Sequence, residues 1–88
     1  VFGLKDQITR SALSISSNIA EGYERVTPKD YTRFLSYSKG SCGELRSQIY
    51  IALKIGEVDT TKATEWIEET RELSRMISAL MKSIDAWE

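Results

Sequence analysis

The stretch SISSNIAEGYERVTPKD, residues 14–30, decides the fold, because one helix stops within it and another starts. Its first half continues an apolar rhythm that begins upstream. Leu4, Ile8, Ala12, Ile15, Ile19 and Tyr23 recur at spacings of four and three, which is one face of a helix. The rhythm ends at Arg25-Val26. Thr27 then offers a hydroxyl N-cap, Pro28 suits the first helical turn, and Asp30 sets a carboxylate near the positive end of a new helix.

Downstream, Tyr31, Leu35, Ser38, Cys42, Leu45, Ile49 and Ala52 alternate at four and three, a heptad seam. Phe34, Tyr37 and Ile51 lie off it, so this helix is expected to meet neighbours on more than one side. Gly40 and Gly43 fall in its middle, each costing about 1 kcal/mol relative to Ala. Because the seam keeps register through them, the expected reason for their presence is close approach of another backbone. Gly56 closes the helix as a C′ residue, and residues 57–61 form a loop and N-cap region.

In the third segment Ala63, Trp66, Thr70, Leu73, Ile77, Leu80, Ile84 and Trp87 repeat the spacing, and Ile67, Met76 and Met81 widen the stripe. Its other faces carry Glu65, Glu68, Glu69, Arg71, Glu72, Arg75 and Lys82, a solvated surface. No window shows the sustained period-two alternation of a strand. The fold class expected is all-α: an antiparallel up-and-down bundle in a single domain, 1–88, with three long helices at about 4–24, 28–55 and 61–87. The surplus apolar edges of the second and third helices predict a fourth, completing a four-helix bundle from a missing N-terminal helix or from another subunit.

Composition narrows the function. At 88 residues, with 41% apolar and 28% charged, the chain is ordinary globular protein, and so small a domain buries little enough surface that oligomerisation is expected. No run of about 20 apolar residues spans a membrane, and VFGLKDQ has neither the basic end nor the apolar run of a signal peptide, so the cytoplasm is the expected compartment. The single cysteine, Cys42, forms no internal disulfide, and the absence of histidine excludes Cys/His metal sites and histidine-based catalytic dyads or triads. Cys42 lies on the seam, where a buried structural thiol is expected. Gly40-Ser41-Cys42-Gly43 lacks the lysine and following Ser/Thr of a phosphate-binding loop. No cofactor and no catalytic site are expected.

Two groups of polar residues remain. On a helical wheel Gln7, Ser11, Ser14, Asn18, Glu21 and Arg25 form a small, polar stripe beside the apolar one. Small residues let helices approach closely, and a partly buried Asn must find a hydrogen-bond partner. The stripe, chiefly Ser11, Ser14, Asn18 and Glu21, reads either as a specificity contact with a neighbouring helix or subunit or as polar filler at the edge of the core. Arg25, Lys29 and Arg33 cluster around the first interhelix turn and are the candidate nucleic-acid contact; Tyr23 and Tyr37 could stack on bases, while Glu24 and Asp30 dilute the charge. The net charge of −1 is far from the basic signature of a nucleic-acid module.

Ser17-Asn18-Ile19-Ala20-Glu21-Gly22, preceded by Phe2-Gly3-Leu4, Gln7-Ile8 and Arg10-Ser11-Ala12 and followed by Arg25, Lys29, Phe34-Leu35, Gly40-Ser41 and Glu44-Leu45, resembles a bacterial four-helix-bundle family. That family is named for proteins encoded in 23S ribosomal RNA intervening sequences, and is also called S23 ribosomal protein-like. The resemblance implies a small helical bundle in a homo-oligomer, often a ring-shaped homopentamer. A related group serves retroelements as an accessory protein that binds reverse transcriptase and nucleic acid. Family members usually carry a further amphipathic helix before the Phe-Gly-Leu position, which here lies next to Val1, and the nucleic-acid-binding relatives are basic where this chain is slightly acidic. The function expected is a non-enzymatic, oligomeric scaffold or adaptor that docks a partner protein or structured RNA. The alternative is a purely protein–protein interaction module without nucleic-acid binding.

Overall fold

Three helices follow one another along the chain: α1 (Leu4–Tyr23), α2 (Pro28–Lys54) and α3 (Thr60–Asp85). They are seen in a computed structural model that describes residues 3–87. Phe2 of the Phe2-Gly3-Leu4 motif lies outside the described residues. No strand occurs among the described residues, as the spacing predicts.

The helix ends obey local chemistry. Thr27 Oγ1 accepts from the Asp30 amide at 3.1 Å with Pro28 behind it, and Asp59 Oδ1 accepts from the Lys62 amide at 2.8 Å. Gly56 adopts φ 80°, a left-handed conformation that costs glycine nothing, and ends α2. Its amide donates to Leu53 O at 3.1 Å while the Glu57 amide donates to Ala52 O at 2.9 Å, the two bonds of a Schellman cap.

α2 is the middle helix, packed against both of the others, while α1 and α3 make no close backbone approach to each other among the described residues. The result is a flattened layer whose Cα positions extend 47 × 21 × 12 Å. One core cluster joins Ile15 of α1, Leu35 and Cys42 of α2, and Ile77 and Ile84 of α3, with Ile19, Tyr31, Leu73, Leu80 and Met81 against it. A second joins Ile49, Ala63 and Ile67 near the α2–α3 turn, and Leu45 packs on both.

Gly22 sets the distance between α1 and α2. A Cβ there would stand 3.0 Å from Phe34 Cβ and Tyr31 Cδ1 and 3.2 Å from the Tyr31 carbonyl oxygen. Gly40 and Gly43 do not play the part expected of them. Both are exposed, and nothing lies within 4 Å of where their Cβ atoms would be, so no backbone approaches them. The seam passes through these glycines in register because they occupy the solvent side of α2, where a missing side chain disturbs no packing. Close approach falls instead on α1, at the end of its line of small residues.

Opposite effects therefore follow at the two kinds of glycine. Gly40→Ala and Gly43→Ala are expected to raise stability, each by up to about 1 kcal/mol, through helix propensity alone. Gly22→Val is expected to lower it by about 1–3 kcal/mol through overpacking. Urea unfolding followed by circular dichroism measures both.

Candidate functional site

The apolar stripe of α1 and that of α3 are only partly covered. Ala12, Tyr23, Trp66 and Trp87, all expected on core-facing stripes, are exposed, Tyr23 to 72% and Trp87 to 64%. The reason is geometric: three helices in a layer bury the faces turned to α2 and leave the flanks of α1 and α3 bordering an unroofed groove. Ile8, Ala12 and Ile15 form one wall, Trp66 and Leu73 the other, and Leu45 and Ile49 the floor of a cavity of about 290 Å³. A neighbouring cavity of about 470 Å³ shares Ile8 and Trp66 and extends the groove past Leu4 and Ala52 to Val58. Glu69 stands on the α3 wall with no carboxylate pairing partner among the described residues.

The polar stripe of α1 is placed at its contact with α2. Ser11 is buried, and Ser14 and Asn18 are half-buried. Asn18 Nδ2 donates to Ser14 Oγ at 3.0 Å and to the Ser14 carbonyl at 2.9 Å. The Ser14 and Ser41 hydroxyls share a hydrogen bond of 2.8 Å, and the Ser41 hydroxyl also lies 3.2 Å from the Tyr37 carbonyl oxygen. One chain of hydrogen bonds thus crosses from α1 to α2. Alongside it, Ser38, fully buried, donates to the Ile15 carbonyl at 2.8 Å. Glu21 stands outside this contact; its exposed carboxylate accepts from Arg25 at 2.6 Å. The sequence showed the α1 half of this seam and missed Ser41, which reads in isolation as part of a glycine-flanked helix segment.

Of the three candidate phosphate contacts, two converge. The Arg25 and Arg33 guanidiniums lie 4.5 and 5.2 Å from the centroid of the Phe34 ring, whose edge-on neighbour is Tyr37 at 5.4 Å. Each arginine also has a carboxylate, Glu21 for Arg25 at 2.6 Å and Asp30 for Arg33 at 3.2 Å. Lys29, exposed on the first turn of α2, has no ion pair among the described residues. Phe34 as the shared ring was missed, and its signal was its position one residue after Arg33.

Cys42 is fully enclosed in the core, and burial raises its thiol pKa above the ordinary value, opposed by the positive charge of Arg46. A thiol so placed is protonated and shielded at neutral pH. Arg46 itself crosses to α3, where its Nε donates to Thr70 Oγ1 at 3.0 Å.

A family model described as 23S rRNA-intervening sequence protein matches residues 1–79. Among solved structures, a protein of unknown function from the S23 ribosomal protein family of Bacteroides thetaiotaomicron superposes with a TM-score of 0.88 at 18% identity, over 93% of this chain and 76% of that one. At that identity the likeness is one of fold. No curated protein sequence matches. Among the described residues no helix is long and apolar enough to cross a membrane.

Two measurements check the interhelix geometry. Ser14→Ala breaks this chain and is expected to cost about 1 kcal/mol, against a few tenths for Ser16→Ala, whose hydroxyl bonds only within its own exposed turn. Because burial raises its pKa, Cys42 is expected to resist a thiol reagent across the pH range in which ordinary thiols ionise. Its labelling rate should track global unfolding in urea.

Proposed function

The chain belongs to the 23S rRNA-intervening sequence protein family, and from that premise we propose that it is a non-enzymatic assembly module whose apolar groove receives one amphipathic helix. The groove between α1 and α3 carries this reading. It lies over α2 where the fourth member of a four-helix bundle sits, with apolar side chains on both walls and the floor. The exposed surface points the same way. It amounts to 6012 Å² for a chain of 10.0 kDa, whereas a compact monomer of that mass exposes about 5,200 Å². The excess is close to the roughly 800 Å² that one partner gives to a standard interface.

The occupant has a defined chemistry. It presents apolar residues every third or fourth position to Ile8, Ala12, Leu45, Ile49, Trp66 and Leu73, and a basic residue to Glu69 on the rim. Leu13, Tyr37, Ile51 and Met76, exposed apolar residues that do not line the groove, give the filled module surface for self-association into the expected homo-oligomer. No catalytic role is assigned: Cys42 is enclosed, and the carboxylates Glu68 and Glu72 are occupied by Arg71 and Arg75 at 2.7 Å each.

A second reading, docking of structured RNA, is favoured by one observation, the convergence of Arg25 and Arg33 on Phe34 beside Lys29. The two carboxylates there must release their arginines before a phosphate binds, so the affinity gained is reduced by the pairs broken.

Occupation of the groove is read directly by anilinonaphthalene sulfonate and by Trp66 in a Trp87→Phe background. The wild type is expected to bind the dye, and a synthetic Leu/Lys amphipathic helix to displace it and shift Trp66 emission to the blue. Ala12→Glu with Leu73→Glu, both on the groove walls, should abolish dye and peptide binding while the helical signal persists. Absence of dye binding by the wild type, or peptide binding that survives the double variant, would overturn the proposal.

A further inference from the structure

A second cavity, of about 320 Å³, opens between α2 and α3 and shares no lining residue with the apolar groove. Its rim differs in carrying basic side chains. Lys39 of α2 faces Ser74, Arg75, Ser78, Ala79 and Lys82 of α3 across it. Ser74, Ser78 and Lys82 are spaced by four, which sets two hydroxyls and an ammonium on successive turns of one helix flank. The two serines are half-buried, and neither hydroxyl has a hydrogen-bond partner among the described residues, although a mid-helix serine has the carbonyl four residues back within reach.

The charges here are differently disposed from those at the α1–α2 turn. Arg75 is taken by Glu72 at 2.7 Å, but Lys39 and Lys82 have no carboxylate within ion-pair distance among the described residues. Two unneutralised ammonium groups from two helices and two unpartnered hydroxyls therefore border one recess. Two ammoniums, which only donate, and two hydroxyls free to donate, with no carboxylate among the lining residues, match a compact oxyanion that offers several strong acceptor oxygens.

We propose that this α2–α3 recess binds a phosphoryl group, with Lys39 and Lys82 supplying charge and Ser74 and Ser78 supplying neutral hydrogen bonds. The site is independent of the groove and uses none of its residues. Lysine suits it as a point charge of three rotatable donors, since the two lysines come from different helices and need no bidentate geometry.

The test is an amide proton–nitrogen NMR titration of the 88-residue chain with inorganic phosphate at constant ionic strength. Saturable shifts at Lys39, Ser74, Ser78 and Lys82 are expected. Lys39→Ala with Lys82→Ala, both at exposed positions, should keep the thermal midpoint and weaken binding about tenfold or more, as loss of charge-assisted hydrogen bonds does. A second titration uses a ribohexanucleotide without terminal phosphates. Shifts at the same amides identify a chain phosphodiester as the ligand group, and shifts with inorganic phosphate alone identify a free or terminal phosphate. Shifts that do not saturate and spread equally to Lys5, Lys54 and Lys62, or binding unchanged in the double variant, would overturn the assignment.

Discussion

Everything in this molecule depends on how α2 is shared. Among the described residues the α1 and α3 backbones do not approach each other closely, so the fold is held by one helix that presents two adjoining faces, and the residues where those faces meet are its most enclosed. Leu35, Ser38 and Cys42 are all fully buried, within two turns of each other. Removing the Leu35 side chain to Ala would cost a typical 2–5 kcal/mol, a large share of the roughly 4–13 kcal/mol that a domain of this length holds in reserve. The two faces are bonded differently. Towards α1 the contact is close, with Gly22 against Phe34 and enclosed hydroxyls bonded across the gap; towards α3 side-chain hydrogen bonds bridge around the apolar packing, Arg46 to Thr70, Arg71 to Tyr50 and Thr32 to Asp85.

That division explains why α1 carries serines and an asparagine at residues 14–18. A close approach needs small side chains, and small polar side chains so enclosed need partners. Ser14, Asn18 and Ser41 meet both needs in one chain of hydrogen bonds, and the pairing of the Ser14 and Ser41 hydroxyls favours one register of α1 on α2 over its neighbours. The apolar groove is the consequence on the other side. With α1 and α3 both leaning on α2, their remaining apolar flanks border an open groove, the surface proposed to receive a further helix.

Much of this was legible in the sequence because helix period and capping chemistry are local. The Thr27-Pro28-Asp30 cap, Gly56 and the spacing of Leu35, Ile49, Ile77 and Ile84 depend on nothing distant. What was not legible required knowing which neighbour stands where. Gly40 and Gly43 look like a close-approach motif and face solvent, while Gly22, inside the hexapeptide that marks the resemblance, makes the close approach. Trp66 and Trp87 fit an apolar stripe, but periodicity reports which face is apolar and not whether anything covers it. Arg25 and Arg33 are eight residues apart across a turn, and only the fold brings both over Phe34.

The central claim, that the groove is an open helix-binding surface, is tested most directly by methyl NMR of protein labelled at isoleucine, leucine and methionine and titrated with the Leu/Lys amphipathic helix. Saturable shifts confined to Ile8, Ile15, Ile49, Leu45 and Leu73, with Leu13 and Met76 undisturbed, are the expected result. Shifts centred on Leu13 and Met76, or none at any methyl, would contradict it.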